Sequence, residues 1–250
     1  MSHQLTPWPY PLWIAHRGAG KLAPENTLAA FRVGAQHGYR MFECDAKLSR
    51  DGVVFLMHDA HLDRTTNGRG VGGDCAWRQL VQLDAGTWHS NAFAGEPLPT
   101  LTDIAQFCLA NDYCLNIEIK PSPDTDVVTG HTVALAASAL WEKQKIMPLL
   151  TSFKPAALSA AHQAAHHLPR GLLLDTLWEN WFETAIGLQC QAIVFNHKLL
   201  DQKLIAHVHN AGLRCLAYTV NTQESVDQLI KWEIDGLITD RVDLFAPTKR

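Results

Sequence analysis

Two pairs of charged residues carry the first chemical signal in the chain. In "FECDA", Glu43 and Asp45 stand two residues apart, and in "NIEIK", Glu118 and Lys120 do the same. Both stretches read as strands, where residues i and i+2 project to one face. The residues between them point the other way, so three carboxylates and an ammonium share the inner side. Such groups are costly to bury unless they are paired or bound to metal. Oxygen-only ligands favour a hard divalent cation, Mg2+ or Ca2+ with Mn2+ also admissible, over zinc, which prefers His and Cys. A cation held this way stays open to substrate oxygens. The second signal is a pair of histidines. His16 and Arg17 end an apolar strand in "IAHRGAG", just before "PENTLAAF", and His58 ends another in "FLMHD". Histidine ordinarily titrates near neutrality, so two imidazoles suit general acid and general base work. Arg17 and Lys120 suit an anionic, phosphate-like group. Taken singly, a strand-end histidine is more often structural, and Glu118 with Lys120 could be a plain buried ion pair. Their coincidence at one rim argues for a site.

Those residues need a scaffold that gathers strand ends. Nine short apolar runs, "LWIAHRG", "MFECDAKL", "VVFLMHD", "YCLNIEIK", "IMPLLTSF", "RGLLLD", "QAIVFNH", "RCLAYTV" and "DGLITD", alternate with segments of helical period. Helices are expected over residues 26–38, 100–112, 127–144, 154–168, 177–189, 201–212 and 221–233, several closing on glycine or asparagine. Nearly continuous apolar strands alternating with helices mean an α/β protein with parallel strands covered by helices. A (β/α)8 TIM barrel has room for eight of the nine runs. The surplus is explained by Asp51-Gly52, a tight-hairpin signal that folds residues 53–58 back antiparallel on the second strand. That hairpin returns His58 to the neighbourhood of Glu43 and Asp45. His16 ends the first strand, the natural neighbour of the second, so both imidazoles fall at the carboxyl ends of strands, where barrel enzymes keep their chemistry. Residues at about 59–99 are rich in Gly, Asp, Asn and Thr and too long for an ordinary loop, which predicts a small functional insertion after the second strand. No linker divides the chain, so residues 1–250 read as one domain. An open doubly wound sheet is the alternative architecture, but its glycine-rich dinucleotide turn is absent after the first strand.

Composition narrows the function classes. A formal charge of −4 with scattered basic residues excludes a general nucleic-acid binder, so anion recognition should be local to a pocket. Six cysteines form no CxxC pair and mostly lie in apolar runs, which predicts reduced, buried thiols. The start, "MSHQLTPWPYPLW", has no basic region followed by an apolar core, and no run approaches the length of a membrane span. A cytoplasmic protein is expected. Two other motifs read as bland. "HQAAHH" (His162, His166, His167) has helical spacing that could hold zinc but lies on an alanine-rich outer helix, and "NGRGVGG" lacks the Lys-Ser/Thr ending of a phosphate loop. The tryptophans of "LWENWF" read equally as helix packing or as a substrate rim.

The motif blocks also carry a resemblance. "AHRG" with "PENTLAAF", then "ECDAKLSRDGVVFLMHD", "LDRTTNG", "LDAGTW…FAGEPLPTL", "NIEIKP", "AYTVN" and "GLITD", resemble a bacterial glycerophosphodiester phosphodiesterase of the cytoplasmic type, in family order over nearly the whole chain. The resemblance implies a TIM barrel with a small insertion. It implies hydrolysis of small-molecule glycerophosphodiesters, such as glycerophosphocholine or glycerophosphoethanolamine, to glycerol 3-phosphate and an alcohol. It makes His16 and His58 the acid/base pair, Glu43, Asp45 and Glu118 the ligands of one divalent cation, and Arg17 and Lys120 the phosphate contacts. Phe153 and Tyr218 fit apolar walls on the alcohol side, Tyr218 standing where many members have tryptophan. Cys44, inside the "ECD" motif, should point away from the site.

The related-family expectation for the reaction is attack by a glycerol hydroxyl, giving a cyclic glycerol phosphate that water then opens. Direct attack by water would use the same residues. Which histidine is the acid stays open, as do the preferred alcohol and any self-association. Two rivals are a phospholipase of similar barrel type and a catalytically idle barrel that only binds phosphorylated ligands. The first calls for a membrane-docking segment, and none is clear in the sequence; the second calls for a lost histidine or carboxylate, and none is lost.

Overall fold

The computed structural model describes residue 5, residues 8–245 and residue 247; part of the N-terminal stretch read for a leader lies outside them. The strands are β1 (Trp13–Ala15), β2 (Met41–Leu48), β3 (Val54–Leu56), β4 (Cys114–Ile119), β5 (Leu149–Ser152), β6 (Arg170–Leu174), β7 (Ala192–Asn196), β8 (Arg214–Tyr218) and β9 (Gly236–Thr239). The helices are α1 (Leu28–Gln36), α2 (Trp77–Leu80), α3 (Leu101–Ala110), α4 (Asp126–Leu140), α5 (Pro155–Ala164), α6 (Trp181–Gly187), α7 (Gln202–Asn210) and α8 (Gln223–Lys231). All strands except β3 run parallel, and β1 pairs with both β9 and β2, which closes an eight-stranded (β/α)8 barrel. As expected from Asp51-Gly52, β3 returns antiparallel on β2, with Ala46 opposite Leu56 and Leu48 opposite Val54. Among the described residues no helix is long and apolar enough to cross a membrane.

Strand alternation sorts the core into two shells. Phe42, Cys44, Ala46, Leu115, Ile117 and Ile119 point outward and pack under α1, α3 and α4, so Cys44 does face away from the polar side. Inward, Ile14, Met41, Leu149, Leu173, Val194, Leu216 and Ile238 fill the lower barrel. Above them the inward positions turn polar: Asn116 accepts a hydrogen bond from Thr151 Oγ1 at 2.9 Å, and Glu43, Asp45 and Glu118 follow toward the carboxyl ends. The barrel is therefore filled by packing at one end and by charge at the other, the end where such folds work.

The segment after β3 is more than a loop. Phe55, Met57, Leu62, Leu80, Ala85 and Leu98 form a small core of its own. Asp84 organises its turn, accepting from the backbone N–H groups of Gly86, Thr87 and Gly95. Glu96 then reaches the barrel, where its carboxylate accepts the backbone N–H of Ala29 in the first turn of α1.

Several expectations shift at element ends. The helix expected from residue 177 starts at Trp181, because Asn180 takes a left-handed φ of 61° and breaks the preceding turn. Trp181 packs edge-on against Phe195 while Trp178 is exposed. Glycines 38 and 212 follow α1 and α7 with positive φ as expected, but Gln189 and Glu233 take that role after α6 and α8. α5 ends at Ala164, so His166 and His167 lie beyond it and the helical spacing of the three histidines does not exist. The glycines of "NGRGVGG" form a turn in which Gly70 N–H donates to Asp63 at 3.0 Å.

The α4–α5 contact depends on one absent side chain. A Cβ on Gly130 would lie 2.1 Å from the carbonyl oxygen of Ala157. Alanine favours a helix interior over glycine by up to about 1 kcal/mol, yet forcing apart two packed helices costs about 1–3 kcal/mol. Gly130→Ala should therefore lower the thermal midpoint by several degrees; an unchanged or raised Tm would show that the helices separate freely.

Candidate active site

β2 presents Glu43 and Asp45 inward, β4 presents Glu118, and the three bring carboxylate oxygens within 4.8 Å of one another. All three are buried, with exposures of 3%, 1% and 9%. Like charges this close cannot all ionise without help. Burial together with Asp45 and Glu118 pushes the Glu43 carboxyl well up. Burial and Asp45 raise Glu118 to about 7, which the Lys120 ammonium only partly offsets. Asp45 goes the other way: burial would raise it, but Arg17, Lys120, His58 and the Asn26 amide hold it well below the usual carboxylate range.

The cationic partners are fixed from the strand ends. Lys120 Nζ lies 2.8 Å from Glu118 Oε1 and 3.5 Å from Asp45 Oδ1. The closer contact is off the line of a hydrogen bond, so Glu118 Oε1 stays buried without one. Arg17 sits just past β1 at a φ of 51°, unusual for a side chain of its size. That turn directs its backbone N–H to Glu43 at 3.0 Å, its Nη1 to Glu25 at 2.9 Å and its Nε to within 3.3 Å of Asp45. Backbone strain at a charge cluster is held by just such surroundings.

Both imidazoles are oriented by carboxylates. His16 Nδ1 lies 2.6 Å from Asp240 Oδ1, and His58 Nδ1 lies 2.7 Å from Asp59 Oδ1. A carboxylate only accepts, so Nδ1 carries the proton and Nε2 is left to face the cleft. His16 Nε2 stands 3.9 Å from Glu43. Asp240 is itself held by Asn221 Nδ2 at 2.9 Å, and the His16 contact draws its carboxyl down to about 2 against the effect of burial. Asp59 is gripped by Arg64, whose other guanidinium nitrogens bind Glu25 at 2.8 Å. Burial lowers the His58 imidazole from its ordinary value, with Asp45 opposing.

A pocket of about 150 Å³ gathers His16, Arg17, Glu43, His58, Glu118, Lys120, Phe153 and Tyr218, with Asp45 beneath them. The structure thus brings together every site residue expected from the sequence. Phe153 and Tyr218 meet edge-to-face at 5.8 Å. Sequence reasoning missed the partners: Asp240, Asn221, Asp59, Arg64, Glu25 and Asn26 all lay inside quoted motifs without a role. Lys47 was missed too, though alternation from Glu43 and Asp45 points it inward; it is buried and donates to the Lys120 carbonyl oxygen at 3.1 Å.

The acidic triad passes a test for a hard cation. Its donors are carboxylate oxygens only, one of them a buried oxygen lacking a hydrogen bond, and they form the only such cluster of at least three metal-ligating side chains among the described residues. Glu43, Asp45 and Glu118 could hold one divalent ion.

Comparison with known proteins gives one consistent match. The model of the glycerophosphoryl diester phosphodiesterase family matches residues 16–244. The chain is similar to a glycerophosphodiester phosphodiesterase of Caldanaerobacter subterraneus subsp. tengcongensis, 32% identical over 92% of this chain and 93% of that one. It is similar to another from Bacillus subtilis, 30% identical over 96% of this chain and 86% of that one. Its fold resembles a phosphodiesterase of Oleispira antarctica solved in complex with the product sn-glycerol-3-phosphate, with a TM-score of 0.86 and 29% identity over 92% and 93% of the two chains.

Cation binding should be readable in stability. Without an ion, a carboxyl raised to about 7 favours folding below about pH 4.5, and that advantage is lost as pH rises through 7. An ion competes with that proton, so it stabilises more at pH 8 than at pH 5.5. Mg2+, Ca2+ or Mn2+ at about a hundred times its Kd should raise Tm by roughly 5–10 °C at pH 8, by less at pH 5.5, and not in Glu118→Gln. A rise equal at both pH values, or retained in the variant, would place the ion elsewhere.

Proposed function

Because the chain belongs to the glycerophosphoryl diester phosphodiesterase family, we propose that it hydrolyses glycerophosphodiesters, glycerophosphocholine and glycerophosphoethanolamine among them, to sn-glycerol 3-phosphate and an alcohol. The observation that carries this reading is the pocket itself, where two carboxylate-oriented imidazoles and two cationic side chains surround an acidic triad. The whole chain would act as one phosphodiesterase unit with residues 59–99 as its insertion, an arrangement supported by the Arg64 and Glu96 contacts to the barrel side. Its six unpaired cysteines support a cytoplasmic location, and its charge of −4 supports a small-molecule substrate over nucleic acid.

In this reading one divalent cation, Mg2+, Ca2+ or Mn2+, on Glu43, Asp45 and Glu118 supplies positive charge that acidifies a hydroxyl and stabilises the phosphoryl oxygens. The chain's own residues do the rest. Arg17 and Lys120 bind and orient the anionic phosphoryl group. One imidazole takes the proton of the attacking hydroxyl at Nε2, and the other gives a proton to the alcohol oxygen as its bond to phosphorus breaks. Asp240 and Asp59 hold the protons on Nδ1 and stabilise each imidazolium as it forms. With the glycerol hydroxyl as nucleophile, a cyclic glycerol phosphate forms and is opened by water with the two roles exchanged.

The first test is release of glycerol 3-phosphate from glycerophosphocholine with chelator, with Mg2+ or Ca2+, and in two variants. Release should require the cation and fall roughly 10²–10⁴-fold in His16→Ala. Asp240→Asn should reduce kcat strongly while circular dichroism stays unchanged. Cation-dependent release that survives His16→Ala would remove His16 from proton transfer, and no release from any glycerophosphodiester would reject the reading. A rapid quench of a slowed variant should contain cyclic glycerol phosphate; its complete absence would favour direct attack by water.

A further inference from the structure

The pocket has a positive side and, at the hydroxyl end of Tyr218, a carboxylate that accepts hydrogen bonds from two neighbouring strands but has no cationic partner among the described residues. Asp175 follows the last residue of β6, two positions beyond the pocket-lining Leu173, and its side chain is exposed at the barrel rim. Two neighbouring strands fix its orientation. Asn196, ending β7, donates Nδ2 to Asp175 Oδ1 at 2.9 Å. The Asn196 side-chain Oδ1 accepts the backbone N–H of Lys198 at 3.1 Å, which leaves Nδ2 aimed at Asp175. Tyr218, ending β8, places its hydroxyl 3.1 Å from the Leu174 carbonyl oxygen and 3.4 Å from Asp175 Oδ1. Among the described residues no ion pair neutralises this carboxylate. Tyr218 lines the pocket together with Glu118, and its hydroxyl end reaches Asp175; burial and both carboxylates push its phenol up, so it stays protonated.

We propose that Asp175, with the Tyr218 ring beside it, selects glycerophosphodiesters whose alcohol carries a positive nitrogen. The inference rests on the diesterase reading above and adds a specificity residue to it. A choline or ethanolamine diester is a zwitterion, with its nitrogen two carbons beyond the ester oxygen. Arg17 and Lys120 take the negative phosphoryl group, and an alcohol extending along Tyr218 brings its nitrogen to the unneutralised carboxylate. Aromatic faces attract ammonium and exclude the water that would screen it. Phe153 completes the wall, although Lys120 Nζ, 5.6 Å from its ring centroid, already occupies one face. Among the described residues no side-chain cation lies over the Tyr218 ring, which leaves that ring for the substrate nitrogen.

The test is the ratio of kcat/KM for glycerophosphocholine to that for glycerophosphoglycerol, whose alcohol is neutral, at saturating cation. Both substrates meet the same sample, so any loss of folded protein cancels. Wild type should favour the choline ester, and Asp175→Asn should cut the ratio roughly five- to thirty-fold, mainly through KM. Asp175→Lys should cut it further, and Asp175→Glu should restore part of it. A ratio that stays within about twofold in Asn and Lys variants, or a wild type indifferent to the alcohol, would overturn the inference while leaving the diesterase reading intact. A wild type that releases glycerol 3-phosphate from neither ester would overturn both.

Discussion

Glu43, Asp45 and Glu118 hold carboxylate oxygens within 4.8 Å of one another, buried at the carboxyl end of a barrel. Much of the polar architecture follows from that repulsion. Burial makes every unpaired charge expensive, and proximity makes three of one sign more so. Arg17 and Lys120 approach Asp45 from β1 and from the end of β4, and Asn26 both donates to its carboxylate and accepts its backbone N–H. These contacts secure one ionised carboxylate. The Glu43 and Glu118 carboxyls stay raised in spite of Arg17 and Lys120, which leaves a cluster that could hold a divalent cation.

The same end of the barrel uses further carboxylates for a different purpose. Asp240 and Asp59 do not join the triad; each fixes one imidazole by its Nδ1. Glu25 and Arg64 then join the two halves of the site, since Glu25 binds Arg17 on the β1 side while Arg64 binds both Glu25 and Asp59 on the insertion side. A change in how the insertion sits is therefore transmitted to His58 through hydrogen bonds to charged groups, which are among the stronger ones in proteins. The insertion can carry this duty because it has its own small core and is tied to α1 by Glu96.

At the opposite end the barrel is closed by packing and by carbonyl-capping groups. Arg170, almost wholly buried, donates to the carbonyl oxygens of His166, Leu168 and Gln189, and Tyr10 donates to that of Met147. This division lets the rim hold strained backbone at Arg17 and uncompensated charge without loss of the fold. Packing holds one end, and the candidate site occupies the other.

How much of this was legible in the chain follows from what local geometry encodes. Alternation along a strand put Glu43 with Asp45 and Glu118 with Lys120 on common faces, and Asp51-Gly52 foretold the hairpin that returns His58, because both depend only on a few consecutive residues. Alternation would also have placed Lys47 inward had it been carried one step further. The start of α6 was misjudged because Asn180 reads as a tolerable helix residue until its left-handed backbone is seen. The pairing of His16 with Asp240 spans 224 residues and exists only because β9 closes on β1, just as Asp175, Asn196 and Tyr218 meet only because β6, β7 and β8 lie side by side. Backbone periodicity alone set which strand faces carry the candidate site residues. Only barrel closure decided which carboxylate orients which imidazole, because such partners are set by strand register and neighbour order, which no local pattern records.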